Sequence, residues 1–416
     1  MKPSLYTFRV FLPLVVFSFI LLSCEESAPI GPEQLLITMK ANHYGSCGGY
    51  RPNAKIVITD SQNHILAVKE VNGQMDMPIF APAALSEETI DLYILDYTDG
   101  LHRITGFRGL KKGIEFMGYG VPENISQSGQ VDVNTRNIPE YESVTLSSSP
   151  YGITLMNKLY KQSPQSRPTS VKLSYTANEV FVHLVQNGTG RYGFVDLPSV
   201  TGDIMLDYSQ LHGVSEKRQI DLGQNVFSYG ITINGALAGN ASMNDSYTVY
   251  NGRYSLIEGG DFDRDIYYPN TFKKYFTTLN YAVGDKFFTE TRSEIQPSLK
   301  YEPMKLDINL KNANLENFDL NVTGEYDYYE LTYANFNSSI EFHIFGRQGD
   351  TAVRLPDFSH VRGLKSIPYH SLTGYGIKLY NLKSLQEDQS YFKYYSSPID
   401  VRLTYDQQIV SFSGNL

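Results

Sequence analysis

Three aspartates alternate in Asp261-Phe262-Asp263-Arg264-Asp265. In an extended chain they share one side. Three adjacent carboxylates are costly unless solvated, ion-paired or bound to a cation such as Ca²⁺. The spacing matches the start of a helix-flanked calcium loop, but Ile266 stands sixth, where glycine is needed, and Phe272 twelfth, where glutamate is needed. Calcium therefore stays open only as a strand-borne site at Asp261, Asp263 and Asp265, beside a solvated edge. Two tyrosine groups, Tyr326, Tyr328, Tyr329 and Tyr391, Tyr394, Tyr395, are candidate ligand-binding residues. Tyrosine pairs a rigid apolar ring with a hydrogen-bonding tip, which suits recognition surfaces. The same residues also suit half-buried strand positions.

The remaining candidates are weaker. Cys47 follows His43 by four residues on a glycine-rich loop. A nucleophilic pair needs both groups held in reach and a third to orient them, and such a loop holds neither. Gly188-Thr189-Gly190-Arg191-Tyr192-Gly193 has the letters of a dinucleotide fingerprint, yet it runs straight into a strand, where that site needs a helix N-terminus. The eight histidines show no zinc-site spacing, and His183 and His343, on the first strands of two hairpins, read as packing residues. Carboxylates for glycoside hydrolysis meet in space rather than in sequence, and no pair is singled out. No catalytic residue is assigned.

The elements that must position these groups are strands. Ile56 to Asp60 and His64 to Val68 flank the turn at Ser61-Gln62-Asn63. Glu179 to Val185 and Tyr192 to Val195 flank Asn187-Gly188, the strongest short-range hairpin signal. Strand signals recur at Ile90 to Tyr97, Lys305 to Leu310 and Ile409 to Phe412, without an amphipathic helical run. This predicts an all-β chain of tandem β-sandwiches, immunoglobulin-like or transthyretin-like. Proline- and serine-rich stretches set the expected divisions: domain 1 over 34–138, an enlarged domain 2 over 139–302, and domain 3 over 303–416. Hairpins over Ile56–Ala67, Val180–Phe194 and Ile340–Ala352, each ending near a proline, suggest a repeat.

The chain opens with Lys2 and Arg9, then an apolar run from Val10 to Leu22 too short to span a bilayer. The sequence Leu21-Leu22-Ser23-Cys24 resembles the lipobox of bacterial lipoproteins. The resemblance implies a signal peptide over 1–23, lipidation at Cys24 and a tether over 24–33. Two or more acyl chains make such an anchor effectively permanent. Glu25 and Glu26 resemble the export signal of Bacteroidota-type surface lipoproteins. They imply outer-membrane attachment facing the medium, with the periplasmic face as the alternative. Asp350-Thr351-Ala352 resembles the O-glycosylation pattern of the same group.

The chain has 416 residues and a net charge of −9, a poor match to nucleic acid, which needs a basic face. With Cys24 acylated, Cys47 has no disulfide partner, so stability must come from burial. The expected function is a non-catalytic binding or adhesion module for a glycan or protein ligand. No cofactor is expected beyond the possible Ca²⁺. A fimbrillin-like fibre subunit donating Ile409–Phe412 as a strand, and a hydrolase with carboxylates joined only in space, are the alternatives. The absence of tryptophan counts against a tryptophan-based glycan platform.

Overall fold

The computed structural model describes residues 33–40, 54–71, 76–81, 85–98, 101–117, 129–136, 143–148, 155–158, 170–175, 179–186, 188–196, 204–222, 226–241, 243–255, 265–300, 303–315, 318–335, 340–349, 352–361, 372–382 and 406–415. The first strands are β1 (Gln34–Lys40), β2 (Lys55–Thr59), β3 (Ile65–Glu70), β4 (Asp76–Ala81), β5 (Thr89–Thr98), β6 (Leu101–Lys111), β7 (Ile114–Met117) and β8 (Gly129–Arg136). Next come β9 (Ser143–Ser148), β10 (Leu155–Lys158), β11 (Ser170–Tyr175), β12 (Glu179–Gln186), β13 (Thr189–Asp196), β14 (Ile204–Asp207), β15 (Gly213–Val214) and β16 (Glu216–Gln219). They are followed by β17 (Ser228–Ala236), β18 (Tyr247–Ser255), β19 (Asp265–Tyr268), β20 (Lys274–Val283) and β21 (Lys286–Glu294). The last are β22 (Asp307–Asn312), β23 (Phe318–Thr323), β24 (Tyr328–Ala334), β25 (Ile340–Arg347), β26 (Ala352–Val353), β27 (Gly374–Leu382) and β28 (Gln407–Asn415). Helix among the described residues is limited to single turns such as Phe358–His360. No helix among them is long and apolar enough to cross a membrane.

The all-β class is what the alternating pattern requires, and the strands pack as layered sheets. A 12-stranded sheet in the order β18-β17-β20-β21-β28-β27-β24-β25-β6-β5-β2-β3 forms the frame. Smaller sheets cover parts of it. One core (Ile56, Ile94, Phe107 and neighbours) lies between β2, β5 and β6 and the covering strands β1, β4 and β7. A second (Leu331, Phe342, Ile377) is capped by β22, β23 and β26 on the opposite face. A third gathers Ile231 and Leu279 with Phe181 of β12 and Tyr268 of β19. Each fully buried phenylalanine or leucine here contributes about 1.5–3 kcal/mol.

Hydrogen bonding crosses the expected divisions at 138/139 and 302/303. β6 pairs in parallel with β25, and β28 bridges β27 to β21. The pairing of β27, β28 and β21 thus joins strands from both sides of the second division. Two of the three expected hairpins form. β2–β3 turns with Asn63 at φ 68°, and β12–β13 turns with Gly188 at φ 72°. The third does not: β25 pairs with β24 and β6, and β26 leaves to join β23. Proline and glycine signals mark where a strand stops, but they do not say which neighbour it finds.

Candidate functional site: an open face of the central sheet

Period-2 alternation divides each strand of the frame between two faces. In β17 the apolar Tyr229, Ile231 and Ile233 enter the third core, which turns Gly230 and Thr232 to the other side. Register extends that side from strand to strand. Thr232 stands opposite Thr278, Asn280 opposite Thr289, Phe287 opposite Ser411, and Ser413 opposite Gly376. The result is a patch of hydroxyls, amides and bare backbone over β17, β20, β21, β28 and β27. It ends where Phe276 and Thr291 are buried, and Ile409 within it leans toward the first core.

The patch is knitted across its strands. Thr289 Oγ1 donates to Asn280 Oδ1 at 2.7 Å, and the hydroxyls of Thr278 and Thr291 are 3.2 Å apart. At Gly376 an added Cβ would meet nothing nearer than Thr332 Cβ at 3.8 Å, so the floor there is low and open. Among the described residues Phe287 is the one large exposed aromatic on the patch, and it is 57% exposed. Its neighbour Phe288 turns inward and stacks on Tyr281 at 5.0 Å.

A charged border follows at β27, β24, β25 and β6. Glu330 is buried, yet Tyr380 Oη donates to it at 2.6 Å, Lys378 Nζ lies 3.1 Å away and His343 Nδ1 3.3 Å away. The other ring nitrogen of His343 is 3.0 Å from Glu341, which also pairs with Arg103 at 2.9 Å. Burial alone would raise the Glu330 pKa. The hydrogen bond from His343, the charge of Lys378 and the bonds from Tyr380 and Lys378 override it and bring it to about 2. Burial likewise opposes charge on His343, but two carboxylates accept from its ring and raise its pKa above the usual histidine value. A carboxylate beside each ring nitrogen favours the charged form of His343.

His183 is the opposite case. It lies buried on β12, and its Nδ1 donates to the Val249 carbonyl at 2.6 Å while Ser215 Oγ donates to Nε2 at 2.8 Å. Burial drives its pKa down to about 4, against the Val249 bond. Val249 belongs to β18, the end strand of the frame, and Ser147 of β9 accepts from Thr248 N at 2.8 Å. His183 and Ser147 thus satisfy backbone groups that a neighbouring strand would otherwise pair with. The serine–histidine contact completes this edge seal.

The structure places one of the two tyrosine groups inside the fold. Tyr326, Tyr328 and Tyr329 are 4%, 0% and 2% exposed. Tyr328 stacks on Tyr380 at 4.4 Å, and Tyr329 faces the second core. Tyr328 is buried in the first core on one side of β24, Tyr329 in the second core on the other, and Tyr326, just before the strand, joins the second core. Tyr391, Tyr394 and Tyr395 lie outside the described residues, as do Cys24, Asp261 and Asp263. Asp265 opens β19 and pairs with Lys217 at 2.7 Å, which holds its carboxyl below the usual range. Among the described residues no group of three or more potential ligands is placed to hold a metal ion. His343, Glu341, Glu330 and Lys378 were missed as a cluster because each sits on a different strand or alternates with apolar residues. Only the strand order brings them together. No protein-family model matches the chain, and no curated protein matches it.

Proposed function

We propose that this is a cell-envelope protein anchored through acyl chains at Cys24, acting as a non-catalytic binding module whose binding surface is the open face of the central sheet. The observation that carries the reading is the polar patch itself, half-exposed at Thr232, Thr278, Thr289 and Ser411 and exposed at Asn280, Phe287 and Ser413. A sheet face that displays ordered hydroxyls, amides and one projecting ring is suited to contact with a ligand. The saturated carboxylates support the same reading over hydrolysis. Glu330 and Glu341 are both tied to His343, with further bonds to Lys378, Tyr380 and Arg103, leaving neither poised to protonate or attack a substrate.

The fibre alternative has less support. A donated strand must be free to leave, whereas β28 is hydrogen-bonded on both sides within its own chain. The test is a glycan array and a protein pull-down with the soluble chain beginning at Ser27. Replacing Thr232 and Ser413 by arginine should leave thermal unfolding unchanged and abolish the binding. Binding that survives in both folded variants would place the ligand elsewhere.

A further inference from the structure

We propose that the open face binds an uncharged, extended polysaccharide, with Phe287 as its stacking platform; this rests on the binding reading above and narrows its ligand. Three features of the patch select that class. First, the side chains of Thr232, Asn280, Thr289, Ser411 and Ser413 offer hydroxyl and amide groups that both donate and accept. Sugar hydroxyls have the same dual character, so each contact is satisfied in either direction. The bond between Thr289 and Asn280 uses only part of their capacity and fixes their orientation before a ligand arrives.

Second, the described residues of the patch include no acidic side chain, and the basic groups of the adjoining border, Lys378, Arg103 and His343, each have a carboxylate partner. Lys378 Nζ is 3.1 Å from Glu330 Oε2. A polyanion gains nothing from such a surface on a chain of net charge −9, and a polycation finds no exposed carboxylate among these residues. Third, Phe287 is the sole large exposed ring among them. Protein interfaces are organised around a buried apolar centre with several aromatic or arginine anchors, and the described residues of this face form no such centre. A single ring among hydroxyls is instead the arrangement that takes the C–H face of a pyranose while its edges meet polar groups. Phe287 and Lys378 are two strands apart through Ser411, a span of about 10 Å. The surface between Phe287 and the charged border is therefore wider than one sugar ring.

The test uses the full-length protein in detergent micelles, assayed against immobilised neutral and acidic polysaccharides at low and high salt. Retention by neutral polymers with affinity unchanged by salt is the expected result. Phe287→Ala should weaken it about ten-fold or more, with Phe287→Tyr restoring it. Phe287 is exposed, so both variants keep the melting profile of the parent chain. Binding confined to acidic polymers with a steep salt dependence would overturn this inference while leaving a glycan-binding module. Neutral binding unaffected by Phe287→Ala would overturn the platform. A protein ligand in place of any polysaccharide would overturn the inference alone, and failure to bind either class would overturn the binding reading with it.

Discussion

Lys378 and Glu330 face each other across the β24–β27 ladder, with Nζ 3.1 Å from Oε2, yet the two groups are in different surroundings. The lysine side chain is 45% exposed and the glutamate 7%. That asymmetry decides what each contributes. Removing the lysine leaves Glu330 with Tyr380 and His343, and an exposed partner in an ion pair is worth under about 1 kcal/mol. Removing the carboxylate takes the charged acceptor from the Tyr380 hydroxyl, from Lys378 and from one ring nitrogen of the half-buried His343, which keeps only Glu341. Glu330→Gln should therefore cost about 3 kcal/mol and Lys378→Ala far less. Urea unfolding of both variants measures the difference. Equal losses would show that the cluster is as solvated at its centre as at its rim.

The two partnered histidines give the stability profile opposite slopes. His183 has a folded pKa of about 4 against 6.5 for the unfolded chain. Its contribution is present above 6.5 and is lost as pH falls toward 4, a range worth about 3 kcal/mol. For His343 the folded pKa is raised, so its contribution is complete below 6.5 and disappears as pH rises through the folded value. Glu330 adds an acid limb of its own, since stability held above 4.5 is lost as pH falls toward about 2. His343→Gln should flatten the alkaline side and shrink the Glu330 limb at acid pH, because the ring helps hold that carboxyl low. His183→Phe should flatten the acid side while lowering stability throughout, because the Val249 carbonyl loses its donor. Unfolding free energy measured at intervals from pH 4 to 9 separates the two. Identical profiles would mean that neither ring is held as described.

Attachment is tested at Cys24. Its thiol is the acceptor that the lipobox-like sequence implies. If the proposed acylation is the anchor, Cys24→Ala should remove acyl chains, detected by mass, and release a folded protein into the soluble fraction. A variant that stays with membranes after a carbonate wash would require another attachment.

What the sequence made legible was the alternation, and what it concealed was the neighbour. Tyr375, Ile377 and Leu379 alternate with Gly374, Gly376 and Lys378, so the two sides of β27 are readable from residue type alone. Phe287 and Phe288 show the limit. The two are chemically identical and adjacent, and only pairing with Ser411 and Val410 reveals which projects outward. The tyrosines at 326, 328 and 329 show a related limit. Residue type records suitability for a strand, whereas exposure depends on whether that strand is covered. The charged border combined both difficulties, since Arg103 and Glu341 lie far apart in sequence and meet only through the parallel β6–β25 pairing. No local pattern encodes such a meeting.

The final strand distinguishes a self-contained sheet from a subunit awaiting its neighbour. β28 is inserted between β21 and β27, with Val410 buried opposite Phe288 and Leu379. It carries a ladder on each side and closes the sheet between strands that lie far apart in sequence. Deleting residues 407–415 would leave two long edges, those of β21 and β27, unpaired and apolar on one side. In a chain that uses this strand for itself, the deletion should abolish cooperative unfolding and produce aggregation. In a fibre subunit that exports the strand, the shortened chain should remain folded and lose only its ability to polymerise. Thermal unfolding and light scattering of the truncated chain tell these apart, and a folded, monodisperse product would return the fibre reading to the front. As a milder control, Val410→Ala removes two buried methyl groups without freeing either ladder. It should cost about 1–2 kcal/mol and leave the transition cooperative.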